Sequence, residues 1–304
     1  MTFDRNLRFV VFRYSHHSPH SGYSRIAQYG AEMLGSETIR AEKPLSKGLI
    51  RERMLWSLAA GTPGYDRTSM AVEWKTVRRM LRERDSIYHF LYGETTYHYA
   101  GLLNHKRNNR VVATFHLPPA GIREALQIDW HVRKLSAVVC VGRNQFEYFE
   151  KLMGADRIFF APLGVASDYF VPPPPNEIRD RNLCLIVGEN YRDYPTLRGV
   201  IELVAYLRPK TKFVIVTPPK NRRLLGEHPN LTYKSGISEA ELLGLYQCAS
   251  VLLMPLLDAT ANNAILEGLS CGLPIVVTDV GGCFPSRSPR WGASLRLPTG
   301  TLAA

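Results

Sequence analysis

Four polar side chains in one stretch set the first question. In VLLMPLLDATANNAILEGLSCGLPIVVTDVGG, residues 251–282, Asp258, Asn262, Asn263 and Glu267 surround a loop of small residues and the segment that follows it. The stretch reads as strand, polar loop, helix, Gly-Leu-Pro turn, strand and Gly-rich loop. A helix beginning near Ala264 leaves its first backbone N–H groups without intrahelical partners at Asn262 and Asn263. Such a terminus, at the positive end of the helix dipole, suits an anion such as a diphosphate. Glu267, about one turn further in, is placed to accept hydrogen bonds from ribose hydroxyls if a nucleotide lies along that helix. The two asparagines serve equally well as plain helix caps, so geometry alone leaves both readings open.

A second group of candidates lies nearer the N-terminus. His116, in VVATFHLPP, falls just past the end of an apolar run, the usual address for ligand contacts in open α/β sheets. His89 and Glu94, in YHFLYGETTYH, stand at a neighbouring strand end and are candidates for lining an acceptor. His16, His17 and His20 occupy a turn-rich loop without a cysteine or a positioned acid, so no metal site is expected there. No Asp-x-Asp occurs to clamp a metal-bound diphosphate. Neither strand-one loop, HHSPHSGYS or VGENYRD, holds the Gly-x-Gly-x-x-Gly of nicotinamide- and flavin-dependent oxidoreductases.

The elements that must position these residues follow from the spacing of apolar runs. Strand-length runs at 7–12, 87–91, 111–115, 137–141 and 158–161 alternate with stretches of helical period, and a second set follows at 183–187, 213–216, 231–233, 251–254 and 275–278. Near-continuous apolar strands of this kind need helices on both faces. The pattern predicts two doubly wound parallel-sheet domains, at 1–165 and 181–304, joined by a Pro-rich linker at 166–180 that contains Pro172 to Pro175. A chain of 304 residues exceeds what one core usually organises. The closing stretch from Cys283 reads as loop with at most one short strand, so the second domain is expected to be short; a minimal variant and an early end to the reading frame both fit.

Charge is unevenly spread. Residues 1–160 hold 24 Lys and Arg against 15 Asp and Glu, within a chain of net charge +11, and such a field favours anionic partners. The cations are dispersed and form no nucleic-acid-binding module, so nucleic acid is not expected as a partner. The segment EWKTVRRMLRER, residues 73–84, places Trp74, Val77, Met80 and Leu81 on one face. It reads first as a surface helix with that face in the core, and second as a peripheral contact with an anionic membrane. Five cysteines without a C-x-x-C pair, no apolar run long enough to span a bilayer and no signal-peptide core lead to the expectation of a cytoplasmic protein.

The residues 251–282 resemble the donor-binding block of retaining GT-B glycosyltransferases of family 4. There a second acid matches Glu267, and LEGLSCGLPIVVTDVGG matches through Gly282. The family's first acid is absent: Ala259 occupies its place and Asp258 stands one residue early. The segment LIVGENYRDYPTLRGVIELV matches the start of the second domain but carries Glu189 after Gly188 and lacks the family's Gly-Arg and lysine pair, which leaves Arg192 as the early cation for the phosphates. The resemblance also covers PNLTYKSGISEAELLGLYQCAS, where Gly236 and Ile237 fall near the expected nucleobase, and it is looser in the first domain, where Gly22 stands in the loop that approaches the donor and His116 matches a strand-end histidine facing the donor sugar.

The resemblance implies a GT-B fold of two Rossmann-like domains facing a cleft. It implies transfer of a sugar, of hexose type, from a nucleotide-sugar donor to a glycan or lipid-linked acceptor, with retention, no metal and no cofactor. The departures at Ala259 and Glu189 keep open a nucleotide-sugar-binding or scaffold protein without turnover.

Overall fold

The computed structural model describes residues 5–12, 20, 23, 25–41 and 64–282, and residues 295–297 as backbone. By its internal contacts the chain divides into two units, Met1–Leu163 and Gly164–Ala304.

The first unit is built on a six-stranded parallel sheet of β1 (Asn6–Val10), β2 (Glu37–Ile39), β3 (Ser86–Phe90), β4 (Arg110–Phe115), β5 (Ala137–Cys140) and β6 (Ile158–Phe160), in the order β2-β1-β3-β4-β5-β6. Five of these strands fall where apolar runs predict them. The sixth, β2, is three residues long and too short to show a period. Helices α1 (Arg25–Leu34), α2 (Arg67–Met80), α3 (Gly93–Thr96), α4 (Pro119–Ala125) and α5 (Phe146–Met153) lie between the strands. Val10, Tyr88, Phe90, Phe115, Val138 and Cys140 enter one core with Phe149 of α5, whereas Phe9, Val11 and Leu91 pack with Ala27 of α1. Alternation along the strands thus feeds two faces.

Helix α2 follows the pattern expected of residues 73–84 in part: Val77 and Met80 pack on the core as expected. It starts earlier because Asp66 caps it, its Oδ1 accepting from the N–H groups of Thr68 and Ser69 at 2.9 and 2.8 Å. Its buried face carries Met70, Glu73, Thr76 and Met80, while Trp74 and Leu81 stand exposed. A polar interaction sets this rotation: Glu73 Oε1 accepts the N–H groups of His98, Tyr99 and Ala100 at 2.8, 2.6 and 2.8 Å, and its Oε2 accepts the Tyr65 hydroxyl. Burial nonetheless pushes the Glu73 carboxyl above its ordinary range.

The second unit holds β7 (Asp180–Val187), β8 (Lys212–Val216), β9 (Leu231–Lys234), β10 (Ala249–Met254), β11 (Ile275–Thr278) and β12 (Leu295–Leu297), all parallel, in the order β12-β11-β10-β7-β8-β9. The helices are α6 (Tyr194–Leu207), α7 (Arg222–Leu225), α8 (Glu239–Cys248) and α9 (Asn263–Ser270). Strand β7 shows why the sheet is covered twice. Leu183, Leu185 and Val187 join Tyr246, Ala264 and Ile265 on one side; Cys184 and Ile186 join Leu197, Ile201 and Leu225 on the other.

Residues 166–180, expected as a linker, pack on this second unit. Phe170 is buried against Tyr246, and Ser270 Oγ donates to Phe170 O at 2.6 Å. The Arg179 guanidinium donates to the carbonyls of Tyr246, Gln247, Ala249 and Cys271 at 2.6–3.0 Å, closing the last turns of α8 and α9. Among the described residues no helix is long and apolar enough to cross a membrane.

Candidate functional site

In an open parallel sheet the chain leaves a crevice where neighbouring strands send their connections in opposite directions. In the second unit that point lies between β7 and β10. Both loops that leave it carry candidate residues.

After β7 the backbone turns at Gly188, φ +90°, whose N–H donates to Val216 O at 2.8 Å. A Cβ there would lie 2.6 Å from Arg192 Nη2, so this position needs glycine for its conformation and for space. Arg192 is buried. Its Nε and Nη2 donate to Val187 O, the former at 3.2 Å, and its Nη1 donates to Asn190 O at 2.8 Å. The guanidinium therefore braces its own loop while placing a fixed positive charge at the crevice. Leu257 N–H donates to Tyr191 O at 2.9 Å and Asp193 N–H to Pro255 O at 3.0 Å, which stitches this loop to the one after β10. Tyr191 adopts a left-handed φ of 55°, a local strain that the two bonds hold in place. Asp193 caps α6 by accepting from Thr196 N–H at 3.0 Å.

The loop after β10 is pinned on its other side too. Leu256 N–H donates to Thr278 Oγ1 at 3.0 Å and Gly282 N–H to Ala259 O at 2.8 Å. At Gly281, φ +56°, a Cβ would sit 2.0 Å from Ala259 O, which explains why the loop after β11 carries glycine there. Asp258 Oδ1 accepts the N–H of Ala259 at 2.7 Å and is thereby turned towards its own backbone.

Asn262 caps α9: its Oδ1 accepts from Ala264 and Ile265 N–H at 3.1 and 3.4 Å. The main-chain N–H groups of Thr260, Ala261 and Asn263 take no acceptor among the described residues. Thr260 itself is 2% exposed, and its buried Oγ1 takes no hydrogen-bond partner among the described residues. A row of unspent donors at the start of a helix is anion-binding chemistry. Glu267 lies one turn in, nearly buried, with Oε2 accepting from the Tyr246 hydroxyl at 2.8 Å. Burial raises its pKa to about 7; the Tyr246 bond opposes the rise and the charge of Glu239 adds to it.

The loop after β8 completes the surroundings of Glu189. Lys220 Nζ lies 2.9 Å from Glu189 Oε2, and Asn221 Nδ2 donates to the same oxygen at 3.2 Å and to Thr217 Oγ1 at 2.9 Å. Gly236, φ +64°, and Ile237 lead from β9 into α8, whose cap Ser238 accepts from Glu241 N–H at 3.1 Å.

In the first unit, His89, Glu94 and His116 come together at the carboxyl ends of β3 and β4. Glu94 Oε1 accepts the His116 N–H at 3.1 Å and lies 3.4 Å from His116 Nδ1. Tyr23 stacks on the imidazole, ring centroids 3.5 Å apart. Both ring nitrogens of His116 and Oε2 of Glu94 are buried and take no hydrogen-bond partner among the described residues. His89 Nε2 pairs with Thr114 Oγ1 at 2.7 Å, and burial, with His116 nearby, lowers its pKa to about 4. Gly22, His16 and His17 lie outside the described residues. Among the described residues no three His, Cys, Asp or Glu side chains converge as metal ligands.

Sequence reasoning misses Thr260, Lys220, Tyr246 and Tyr23. Thr260 carries a signal, as the one hydroxyl residue in the small-residue loop before α9. The others act through partners distant in sequence and leave none.

Residues 181–289, within the second unit, match the family model described as Glycosyl transferases group 1. A comparison with curated proteins by sequence gives no significant match. Among solved structures, the chain is similar to an α,α-trehalose-phosphate synthase (UDP-forming) from Burkholderia vietnamiensis, with TM-score 0.63 and 12% identity over 92% of this chain and 84% of that one. It is also similar to the sucrose-phosphate synthase of Thermosynechococcus elongatus, with TM-score 0.62 and 14% identity over 91% and 82%. A third likeness is to the catalytic domain of starch synthase IV from Arabidopsis thaliana bound to ADP and acarbose, with TM-score 0.55 and 11% identity over 77% of this chain and 66% of that one, just under two thirds of its length. The two doubly wound domains thus have the GT-B glycosyltransferase fold.

Proposed function

We propose, on the premise that the second unit is a group 1 glycosyltransferase domain, that the protein transfers a sugar, of hexose type, from a nucleotide-sugar donor to a hydroxyl of a glycan or lipid-linked acceptor. The observation that carries the reading is the α9 entrance: unspent N–H groups at Thr260, Ala261 and Asn263, an orphaned Thr260 hydroxyl, and Glu267 one turn further in. The donor diphosphate takes the N–H groups, and a ribose hydroxyl donates to Glu267. Gly188, Gly236 and Ile237 border the nucleotide.

As the bond to the anomeric carbon breaks, negative charge grows on the diphosphate. The helix terminus and the fixed charge of Arg192 stabilise it without a metal or other cofactor. Asp258 belongs to the loop facing the donor sugar, and His116, with Glu94 and His89, offers hydrogen bonds to sugar or acceptor hydroxyls. Retention at the anomeric carbon and family 4 membership are parts of this reading, as are a cytoplasmic location and a peripheral contact with an anionic membrane through the exposed Trp74 and Leu81.

One observation favours a second reading, donor binding without turnover: Ala259 replaces an acid, and Asp258 is spent on the Ala259 N–H. Calorimetric titration with UDP-, GDP- and ADP-sugars, followed by a hydrolysis and transfer assay with the donor that binds, separates the two. Binding with turnover supports the enzyme. Tight binding without turnover selects the second reading, and no binding of any donor sinks both.

A further inference from the structure

The amino-terminal ends of β4, β5 and β6, opposite to the end that carries His116, hold a cavity that the donor reading does not use. Its volume is about 310 Å³, and its walls include Asn104, His105, Arg133, Lys134, Leu135 and Arg157. That size suits a small molecule.

The cationic wall is fixed but barely neutralised. Arg157 Nε donates to Met153 O at 2.8 Å, and its Nη1 reaches the carbonyls of Arg133 and Leu135 at 3.4 and 3.3 Å. Arg133 Nη1 donates to Leu152 O at 2.9 Å. Carbonyls satisfy these N–H groups and orient the guanidinium planes, yet they remove no net charge. Among the described residues Arg133 has an ion pair with Asp129, 3.7 Å from Nη2, and Arg157 has none. Lys134 Nζ has no hydrogen bond or ion pair among the described residues. Asn104 anchors the wall by accepting from Val111 N–H and the Ser136 hydroxyl and donating to Lys134 O.

The adjoining loop holds three non-glycine residues in the left-handed region, His105 (φ 67°), Arg107 (φ 55°) and Asn108 (φ 62°). Asn108 is fastened by its bonds to Asp85 Oδ1 at 2.6 Å and from Arg5 Nη1 at 2.6 Å. Lys106 and Arg107 extend the positive field outwards. This is where part of the charge excess of the N-terminal half is concentrated.

We propose that the cavity binds a phosphate-bearing ligand, its phosphate held among Arg133, Lys134 and Arg157 and its carbon portion against Leu135 and Leu102. Guanidinium groups set by carbonyls lose little freedom when an anion arrives, and Arg suits phosphate geometry. The proposal stands independently of the donor site.

The test is a 1H–15N titration of the full chain with pyrophosphate, at constant ionic strength. Expected are saturable shifts around Leu102, His105 and Leu135, which weaken at least tenfold in Arg133→Ala/Lys134→Ala while any response around Thr260 and Asn263 persists, showing that the variant is folded. Sedimentation with phosphatidylcholine vesicles, with and without phosphatidylglycerol, distinguishes the sources. Pyrophosphate binding with no vesicle binding assigns a free phosphorylated molecule; Lys134-dependent binding to anionic vesicles assigns a lipid headgroup. Linear shifts without saturation, equal effects of sulfate and pyrophosphate, or an unchanged affinity in the double variant, with no Lys134-dependent vesicle binding, would overturn the proposal.

Discussion

The crevice of the second unit and the histidine cluster of the first are candidate sites made from different materials. Around β7 and β10 the site is mostly main chain: Leu257 to Tyr191, Asp193 to Pro255 and Gly282 to Ala259 are backbone bonds, and the groups offered to a ligand are N–H donors at α9. At His116 the site is mostly side chain, an imidazole stacked on Tyr23 beside a Glu94 carboxylate that accepts the His116 N–H, with three side-chain polar atoms that take no hydrogen-bond partner among the described residues. A site of main-chain groups tolerates many side chains but few backbone conformations. A site of side chains has the reverse weakness. Substitution should therefore damage the two by different routes.

The largest effect is expected at Gly281. A Cβ would meet Ala259 O at 2.0 Å and Asp258 Oδ1 at 2.6 Å, and φ of +56° disfavours any side chain. Gly281→Val should displace the loop that leads into Thr260, weaken donor binding by roughly a hundredfold or more, and cost about 2–3 kcal/mol of stability through overpacking and strain. Calorimetric binding with a thermal melt reads both. Unchanged donor affinity would mean that the loop does not shape the site.

His116 is the counterpart. His116→Asn and Glu94→Gln should leave donor affinity within about twofold and lower kcat by roughly a hundredfold, the size typical of a lost transition-state hydrogen bond. Steady-state kinetics beside direct binding makes the division visible. Loss of donor affinity with kcat intact would collapse the distinction between the sites.

This difference in material also explains what could be read in advance. Glycines and caps are local signals: the Gly-Gly after β11, Asn262 before α9 and the apolar strands that flank them follow from backbone demands in one stretch of sequence. Glu267 is legible for the same reason, one turn inside a capped helix. Tyr246, which donates to Glu267, lies 21 residues away on another helix, and Lys220, which meets Glu189, comes from the next loop of the sheet. No spacing rule connects such pairs. In α2 the apolar pattern points to Trp74, Val77, Met80 and Leu81; Val77 and Met80 do pack on the core, whereas the three N–H bonds to Glu73 turn the helix so that Trp74 and Leu81 stand exposed. The short β2 shows no period at all.

An orphaned imidazole is not by itself a sign of function, and the first unit supplies the control. His131 is fully buried, neither ring nitrogen has a hydrogen-bond partner among the described residues, and its ring centroid lies 4.4 Å from that of His98. Burial, with His98 adjacent, lowers its pKa from 6.5 to about 3. Below pH 6.5 the unfolded chain takes up a proton that the folded chain refuses, so stability falls as pH drops towards 3. The slope from this group is about 1.4 kcal/mol per pH unit. His89, lowered to about 4, adds to it. Glu267, raised to about 7, works in the opposite sense over this interval, so the test is a difference: denaturant melts between pH 6.5 and 5 should give slopes for the parent chain and His131→Phe that differ by about 1.4 kcal/mol per pH unit, with kcat unchanged. A fall in kcat would move His131 into the functional set.

The smallest effect is the finest probe of the main-chain site. Glu267 has its pKa raised to about 7 by burial, so near neutrality a large share of the molecules hold it protonated. For stability the sign is opposite to that of a salt-bridged acid: the neutral form is favoured in the fold, and stability declines as pH rises from the ordinary 4.5 through 7. For binding, a ribose hydroxyl donates best to the ionised carboxylate, so donor affinity should increase with pH up to about 7 and level off above it, severalfold between pH 6 and 8. The diphosphate of a nucleotide sugar is fully ionised across that interval and contributes no slope. Glu267→Gln keeps an acceptor oxygen but cannot titrate, so its affinity should be flat with pH. Calorimetric titrations at three pH values decide it. A flat wild-type profile would place Glu267 with Tyr246 in the packing of α8 against α9, and the nucleotide would then be held by the entrance of α9 alone.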